Sequence, residues 1–586
     1  MATDARDRLA ARASFLAGLA VAFVALVNAV RLVRPGVLAD PDPGWAVYRL
    51  ILGLGVAAAG AGAGVLAAGL FFAWARSPFC AAEPAGLAFG APALRALALS
   101  ALGIGVLLRF ADLSRLPAWL WIDDVSLVSP SLALSGRLSD FSDAVRPVPF
   151  GVAKLYGTVG VLYLEGMRLS LEVWGSTVFG LRFPSALAGV VSLLTAGLLG
   201  RALLPRGGGA LTLMVLAGLR WHLILSRWGW NMIVLAPIVD VATLLVLRAR
   251  RRGATAAAAA GVVAGLGAHV YLSAWIAGAA VGGFCLAPGA RDDALPARLR
   301  RALLYAAGFL VAAAPLFLFR EGRAAAYFAR ARDHNVLQEM RYRQSPEPLF
   351  GAAADALVSP WLVADPTPRN DLPGRSRLGL ALGIPALAAF ARALLAPGEE
   401  LSSLLLLHGG AALGATVLGG EAGNPNGARF AYLTTVTAVA VAAGVLQLLG
   451  AIRQPYRRAA ALSAVGLLAV SGVQAARDAL LTWPDRPSTF EAFHGADTLI
   501  ARAALRWESV AEVRVEPGLG HSDVTIGEIR RYRLDPDAPA LAPASRRLLA
   551  RIASPRTHPT PGERLVERVA LPGHGAAALV FARRPG

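Results

Sequence analysis

Cysteine is almost missing from this chain of 586 residues. Cys80 and Cys285 are the only two, with no CxxC pair and no metal-ligand spacing, which excludes a disulfide framework and a structural zinc site. Charge is scarce as well, at 16% of residues against about a quarter in soluble domains. Acidic residues are the rarer sign: 38 Asp and Glu stand against 57 Lys and Arg, for a net charge of +19. A basic balance of that size can serve nucleic acid, but no basic face interleaves with exposed aromatics here. The arginines instead crowd short loops at alternate ends of apolar runs: Arg248, Arg250, Arg251 and Arg252, then Arg298, Arg300 and Arg301, then Arg453, Arg457 and Arg458. That is the positive-inside bias of a membrane protein, and nucleic acid is not an expected partner.

What the chain does have is apolar length. Hydrophobic residues make up 56% of it and the mean hydropathy is +0.55. Runs near the length that crosses a bilayer recur from Ser14 to Val473, so the expected fold is an α-helical polytopic membrane protein with about thirteen transmembrane helices. Phe15–Val30 reads as an uncleaved first span rather than a signal peptide, because no small-residue cleavage site follows it. Trp45–Trp74 is rich in Gly and Ala, which permits close helix packing. Leu94–Arg109 follows, then an external stretch to Leu181 in which Leu127–Leu138 and Val152–Leu171 suit amphipathic surface helices. Further spans are expected at Arg182–Leu204, Ala210–Ser226, Met232–Leu247, two within Thr255–Ala287, Leu303–Phe319, Leu378–Leu395, Leu401–Leu418, Ala431–Leu449 and Ala459–Val473.

Between the spans, 320–375 makes a second large external loop. Its segment Ala326–Pro348, with Arg330, Arg332, Asp333, His334 and Arg341, reads as a solvated surface helix or a lid. From Arg477 the chain turns charged and Pro-rich. VAEVRVEPG and LVERVALPGHGAAALVFARR read as strands and Ser545–Ile552 as a helix, giving a small extracytoplasmic α/β C-terminal domain. His494 and Asp497 lie close in sequence there without forming a catalytic constellation, so that domain reads as a cap or interaction module. Three units result: two additional N-terminal transmembrane helices in 1–93, a transmembrane module in 94–476 with external loops 110–181 and 320–376, and the C-terminal domain in 477–586.

Chemistry concentrates in LPAWLWIDD, Leu116–Asp124, directly after the third span. Asp123 and Asp124 follow Trp119 and Trp121, an aromatic rim of the kind found at membrane–water interfaces. A carboxylate there can take a proton from an incoming hydroxyl or bind a divalent cation; its bland reading is a solvated loop residue. Arg182, Arg227 and Arg429 are expected on the same side. Positive charge on that side runs against the inside bias, and a lipid phosphate would explain it, since guanidinium matches phosphate with a bidentate fork. Interfacial snorkelling is the alternative. His269 and Tyr271, in the turn GAHVYLSAW, together with Trp121 and Asn231, are candidates to touch a sugar.

These landmarks, in order, resemble the GT-C superfamily of polytopic glycosyltransferases, in particular glycosyltransferase family 39 and protein-mannosyltransferase-like members related to aminoarabinose transferase. WLWIDD (Trp119–Asp124) is similar to the acidic motif of the family's first external loop. VWGSTVFGLRFPSALAGVVSLL (Val173–Leu194) is similar to its Gly…Leu-Arg-Leu-Pro-Ser stretch, and LSRWGWNMIVLAP (Leu225–Pro237) to its Ser-Arg stretch. The resemblance implies a polyprenyl-phosphate-linked sugar as donor, used at the external face of the bacterial inner (plasma) membrane. It implies Asp123 as general base with Asp124 as partner, Arg182, Arg227 and Arg429 on the donor phosphate, and transfer to an acceptor protein, lipid or glycan with inversion. Relatives commonly place the acidic motif after the first span, whereas here two extra spans precede it. Where some relatives carry an acidic metal ligand after the Ser-Arg stretch, this chain has Asn231 and, deep in the span, Asp240, so a divalent metal ion is possible and no metal ligands are assigned. The competing class is a transporter or flippase with the acidic pair as coupling site, for which midplane charges and internal repeats would be expected.

Overall fold

The computed structural model describes residues 2–32, 43–77, 83–133, 160–288, 294–318, 335–359, 361, 365, 367–419, 427–539, 548–571 and 576–583. It is mostly helical. By length and composition, eight described helices can cross a membrane, among them Ala91–Phe110, Val178–Leu203 and Leu433–Gly450. Four apolar helices are shorter, including Gly208–Ala217 and Ala274–Leu286. The chain is an integral membrane protein. Side chains of its outermost helices are widely exposed, as at Leu99, Leu107, Val65 and Leu70, which in water would be an untenable apolar surface and in lipid is the ordinary one.

The first two helices, Ala2–Leu32 and Pro43–Arg76, form a hairpin whose backbones nearly touch. A Cβ placed on Gly60 would lie 1.8 Å from the Cβ of Ala25, and one on Gly18 would lie 2.6 Å from the carbonyl oxygen of Gly64. Small residues earn this approach in a bilayer, where van der Waals packing replaces the hydrophobic drive. Phe23 meets Phe350 edge-on at 6.1 Å, which joins the hairpin to the helix Glu347–Val358.

The expected span Ala210–Ser226 is two helices, Gly208–Ala217 and Arg220–Leu225, broken at Gly218 and Leu219. A Cβ on Gly218 would fall 2.6 Å from the Cα of Gly472, so the neighbouring helix Gln454–Arg477 occupies the notch. The helix Val178–Leu203 starts where Thr177 accepts a hydrogen bond from the Gly180 N–H, 3.0 Å. Its capped end carries Arg182. Of the expected surface helices, Val128–Ala133 and Val161–Trp174 are present, and 134–159 lies outside the described residues. So does the start of the proposed lid, 326–334. Its remainder is the exposed helix Val336–Arg343, capped by Asn335.

The C-terminal domain holds a four-stranded sheet of order β1-β2-β4-β3, with β1 Ala511–Val515, β2 Leu548–Ala553, β3 Arg564–Ala570 and β4 Ala576–Arg583. β2 lies parallel to β1 and antiparallel to β4. This corrects the helical reading of Ser545–Ile552. LLARIA has too few residues for its period to decide, and the pairing decides: as a central strand it buries Ala550 and Ile552 and leaves Arg551 to reach Glu516 and Glu563. Helix Gly495–Glu508 packs on the sheet, and Asp523–Tyr532 packs against that helix and against Ile122–Val125.

The glycine hairpin gives a test. Gly60→Ile is expected to force the first two helices apart, costing about 1–3 kcal/mol as overpacking does. Thermal unfolding of the purified protein in detergent should show a lowered Tm; an unchanged Tm would mean the hairpin is looser than its geometry.

Candidate functional site

The acidic loop begins where the helix Ala91–Phe110 ends, and its main-chain carbonyls are taken up by two buried arginines. Arg227 donates through Nη1 to Leu108 O (2.7 Å) and Arg109 O (3.2 Å), and through Nη2 to Ala111 O (2.7 Å) and Leu116 O (3.2 Å). Arg182 donates to Leu113 O (3.0 Å) and Trp119 O (3.1 Å). Both are fully buried. A third guanidinium, Arg109, donates to Gly105 O and Leu216 O and meets His222 Nδ1 at 2.7 Å. The bonds that Arg182 and Arg227 make are thus to main chain, and they hold the loop from its membrane side.

From the other side the C-terminal domain takes hold. The Leu120 N–H donates to Thr498 Oγ1 (3.1 Å), Arg502 donates to Ala118 O (3.0 Å), and Arg115 pairs with Asp537 at 2.8 Å. Trp119 meets Phe490 edge-on at 4.8 Å. Gripped from both sides, the loop ends in one short helical turn, Ile122–Val125, that carries both acids.

The two carboxyls are not equivalent. Asp123 is half-exposed. Asp124 is fully buried, and neither of its oxygens has a hydrogen-bond partner among the described residues. Burial pushes its pKa up to about 7, against the pull of Arg182. Tyr163 lies nearby, its hydroxyl 3.0 Å from Ser185, which in turn donates to Trp230 O at 2.7 Å.

Trp121 is covered on the side of the second external loop by the guanidinium of Arg369, 3.6 Å from its ring centre, and Arg369 also donates to Ala492 O. The stretch around Arg369 is held by an ion network. Arg377 pairs with Asp365 (3.1 Å) and Asp371 (3.8 Å), and Arg220 with Asp371 (2.8 Å) and Asp478 (3.3 Å). Asp365 also accepts from the Gly427 N–H. Burial raises the pKa of Asp365 while Arg377 opposes it.

The other sequence candidates stand elsewhere. Asn231 donates to Val270 O (2.5 Å), His269 Nε2 lies 2.8 Å from Ala312 O, and Tyr271 is buried. Together they brace the turn on which Gly160 rests, its N–H donating to Val270 O. Arg429 sits in the turn Gly427–Phe430 and donates to Gly419 O, not to the acidic loop. Sequence reasoning missed Arg369 and His521 and set His494 aside as part of a cap. They come from separate segments with no motif, and only the approach of the C-terminal domain collects them.

A divalent cation takes about six oxygen ligands. Among the described residues no three of His, Cys, Asp and Glu gather as a metal-binding group; Asn231 gives its side-chain N–H to Val270 O, and its Oδ1 is buried without a hydrogen-bond partner among those residues.

Fold and loop together define a polytopic helical membrane protein whose candidate site lies between its spans and a small α/β domain. Two crystal structures of ArnT from Cupriavidus metallidurans are similar to the chain: the one bound to undecaprenyl phosphate covers 84% of this chain and 97% of its own, with 14% identity and a TM-score of 0.44, and the apo structure has the same coverage, 13% identity and a TM-score of 0.45. No family model and no curated protein matches the chain.

Two tests follow from the geometry. Arg227→Ala would leave several buried carbonyls unpaired, at about 1–3 kcal/mol for each that water cannot reach. A large drop in Tm in detergent is expected, and Arg227→Lys should restore little because an ammonium lacks the planar fork. For Asp124 the folded pKa of about 7 lies above the ordinary 3.8. Its cost to stability is therefore absent below the ordinary value, grows as pH rises between the two, and is complete above 7. Asp124→Asn should raise Tm over wild type at pH 8 and change it little at about pH 4; a difference that ignores pH would contradict the burial argument.

Proposed function

We propose that this protein is an inverting glycosyltransferase that moves a sugar from a polyprenyl-phosphate carrier to an acceptor hydroxyl at the external, periplasmic face of a bacterial inner membrane. One observation carries the reading. A single helical turn at the end of a span presents a buried carboxyl without a partner beside a half-exposed one, next to a tryptophan under a guanidinium.

In this reading Asp123 is the general base. It takes the proton of the acceptor hydroxyl as that oxygen forms its bond to the anomeric carbon, and the carbon–oxygen bond to phosphate breaks on the opposite face. The leaving phosphate keeps the electron pair and needs no proton if positive charge meets it. Arg369, within electrostatic reach of Asp124, is the guanidinium for that role, with Arg429 a second candidate. Arg182 and Arg227 act by positioning the acid. Asp124 keeps its proton below neutral pH, which spares Asp123 a full adjacent charge there. Trp121 shapes the wall beside them.

The intramembrane carboxylate Asp240 accepts from Thr195 (2.7 Å) and Thr435 (2.8 Å) and so cross-links three helices.

Asp123→Asn is expected to lower transfer by about 10²–10⁴-fold, the usual worth of a general base, with normal expression and an unchanged Tm. The assay is to delete the gene, compare surface glycans and lipid-linked sugars by mass spectrometry, and complement with each variant. Identical glycans in the deletion and parent strains would overturn the reading.

A further inference from the structure

The acid pair is walled by the membrane core on one side and by Arg369 on another; the third wall belongs to the C-terminal domain. Phe493 is fully buried, its ring meeting Trp228 at 6.1 Å and Trp483 at 5.8 Å. The next residue, His494, has φ of 50°, in the left-handed region that few non-glycine residues adopt. With its neighbour so anchored, that backbone brings its ring to 4.4 Å from Trp121. The ring of His521 follows at 3.5 Å and is exposed. The N–H of His521 donates to Asp497 Oδ1 at 2.7 Å, which fixes the turn that carries it. Arg369, Trp121, His494 and His521 thus form a continuous column from the second external loop to the outer surface.

Trp121 Nε1, His494 Nδ1 and both oxygens of Asp124 are buried with no hydrogen bond among the described residues. Leaving such atoms unsatisfied costs about 1–3 kcal/mol each, and so many in one place call for a ligand or ordered water. An indole N–H donates, and a neutral imidazole both donates and accepts. Burial, with His521 and Arg369 adding to it, pushes His494 down to about 4, so it is neutral at physiological pH. That set suits a hydroxyl-rich, uncharged partner; a cation would meet Arg369.

We propose that Trp121, His494 and His521 form the acceptor subsite, at which a carbohydrate or other polyol entering from the aqueous side past His521 is bound and one hydroxyl is presented to Asp123. This rests on the transferase reading above. The C-terminal domain then determines acceptor specificity, and His494 and His521 are binding residues rather than packing residues.

The test uses the full-length protein in detergent. Lipid-linked sugars extracted from the deletion strain serve as donor, and that strain's envelope, split into glycolipid and soluble glycan fractions, serves as acceptor. Release of polyprenyl phosphate is followed for wild type, His494→Ala, His494→Phe and His521→Ala. His494→Ala and His521→Ala should raise the acceptor KM by about tenfold, the size of one lost hydrogen bond, with a smaller effect on the donor KM. His494→Phe keeps a ring without nitrogens and should stay as poor as the alanine variant. Rescue by His494→Phe, or a loss falling equally on donor and acceptor, would sink the subsite. His521→Ala changes an exposed side chain and keeps the test valid if the His494 variants unfold. A wild type that releases nothing with either fraction would overturn the transferase reading itself, and the subsite with it. Whichever acceptor fraction supports release identifies the source of the hydroxyl.

Discussion

Buried arginines bonded to main-chain carbonyls are the constraint on which the rest of this structure hangs. A loop that leaves a helix at the edge of a bilayer has carbonyls that water cannot reach, and each must find a donor. Arg227 supplies four such bonds and Arg182 two, from side chains with no exposure. The guanidinium does this because its donors lie in one rigid plane and it is less strongly hydrated than an ammonium. The loop is therefore held by the same spans that enclose it, and the acids at its end have a set position before any substrate arrives. Preorganisation of this kind is what a proton-accepting carboxylate needs, since catalysis falls steeply with misplacement of the reacting groups.

Two adjacent residues of one type take different roles because the turn that bears them has one buried face. Asp124 is buried with no side-chain hydrogen-bond partner among the described residues and keeps its proton below about pH 7, although Arg182 pulls against this; Asp123 reaches the surface. The same logic runs through the second external loop. There Asp365, Asp371, Arg377, Arg220 and Asp478 tie three distant stretches of chain together, and by fixing the segment they place Arg369 over Trp121. Ion pairs buried this deeply are weak as sources of stability. Their value here is register: they hold Arg369 where a solvated loop would let it wander.

The C-terminal domain, which reads as an appendage from its composition, is part of the same construction. Thr498 and Arg502 bond the main chain of the acidic loop, Trp483 donates to Pro368 O at 2.6 Å, and Phe493 fills a slot lined by Trp228 and Trp483. Domain and spans share one polar seam, and the candidate site lies along it.

By itself the sequence determined the class of the molecule and the neighbourhood of its site. Apolar runs of bilayer length declare membrane helices because no other element satisfies its backbone in lipid, and an acidic pair behind tryptophans at the end of such a run is conspicuous for its cost. It also marked Arg182 and Arg227 as unusual, since charge at a span end needs a reason. Only the tertiary structure decided what that reason is, giving their donors to carbonyls of the loop, and only it distinguished Asp124 from Asp123. The break at Gly218, the strand Leu548–Ala553 and the gathering of Arg369, His494 and His521 were likewise decided by contacts between segments remote in the chain. Periodicity and composition report on neighbours along the chain, whereas burial, pairing and proton affinity depend on what the fold brings across it.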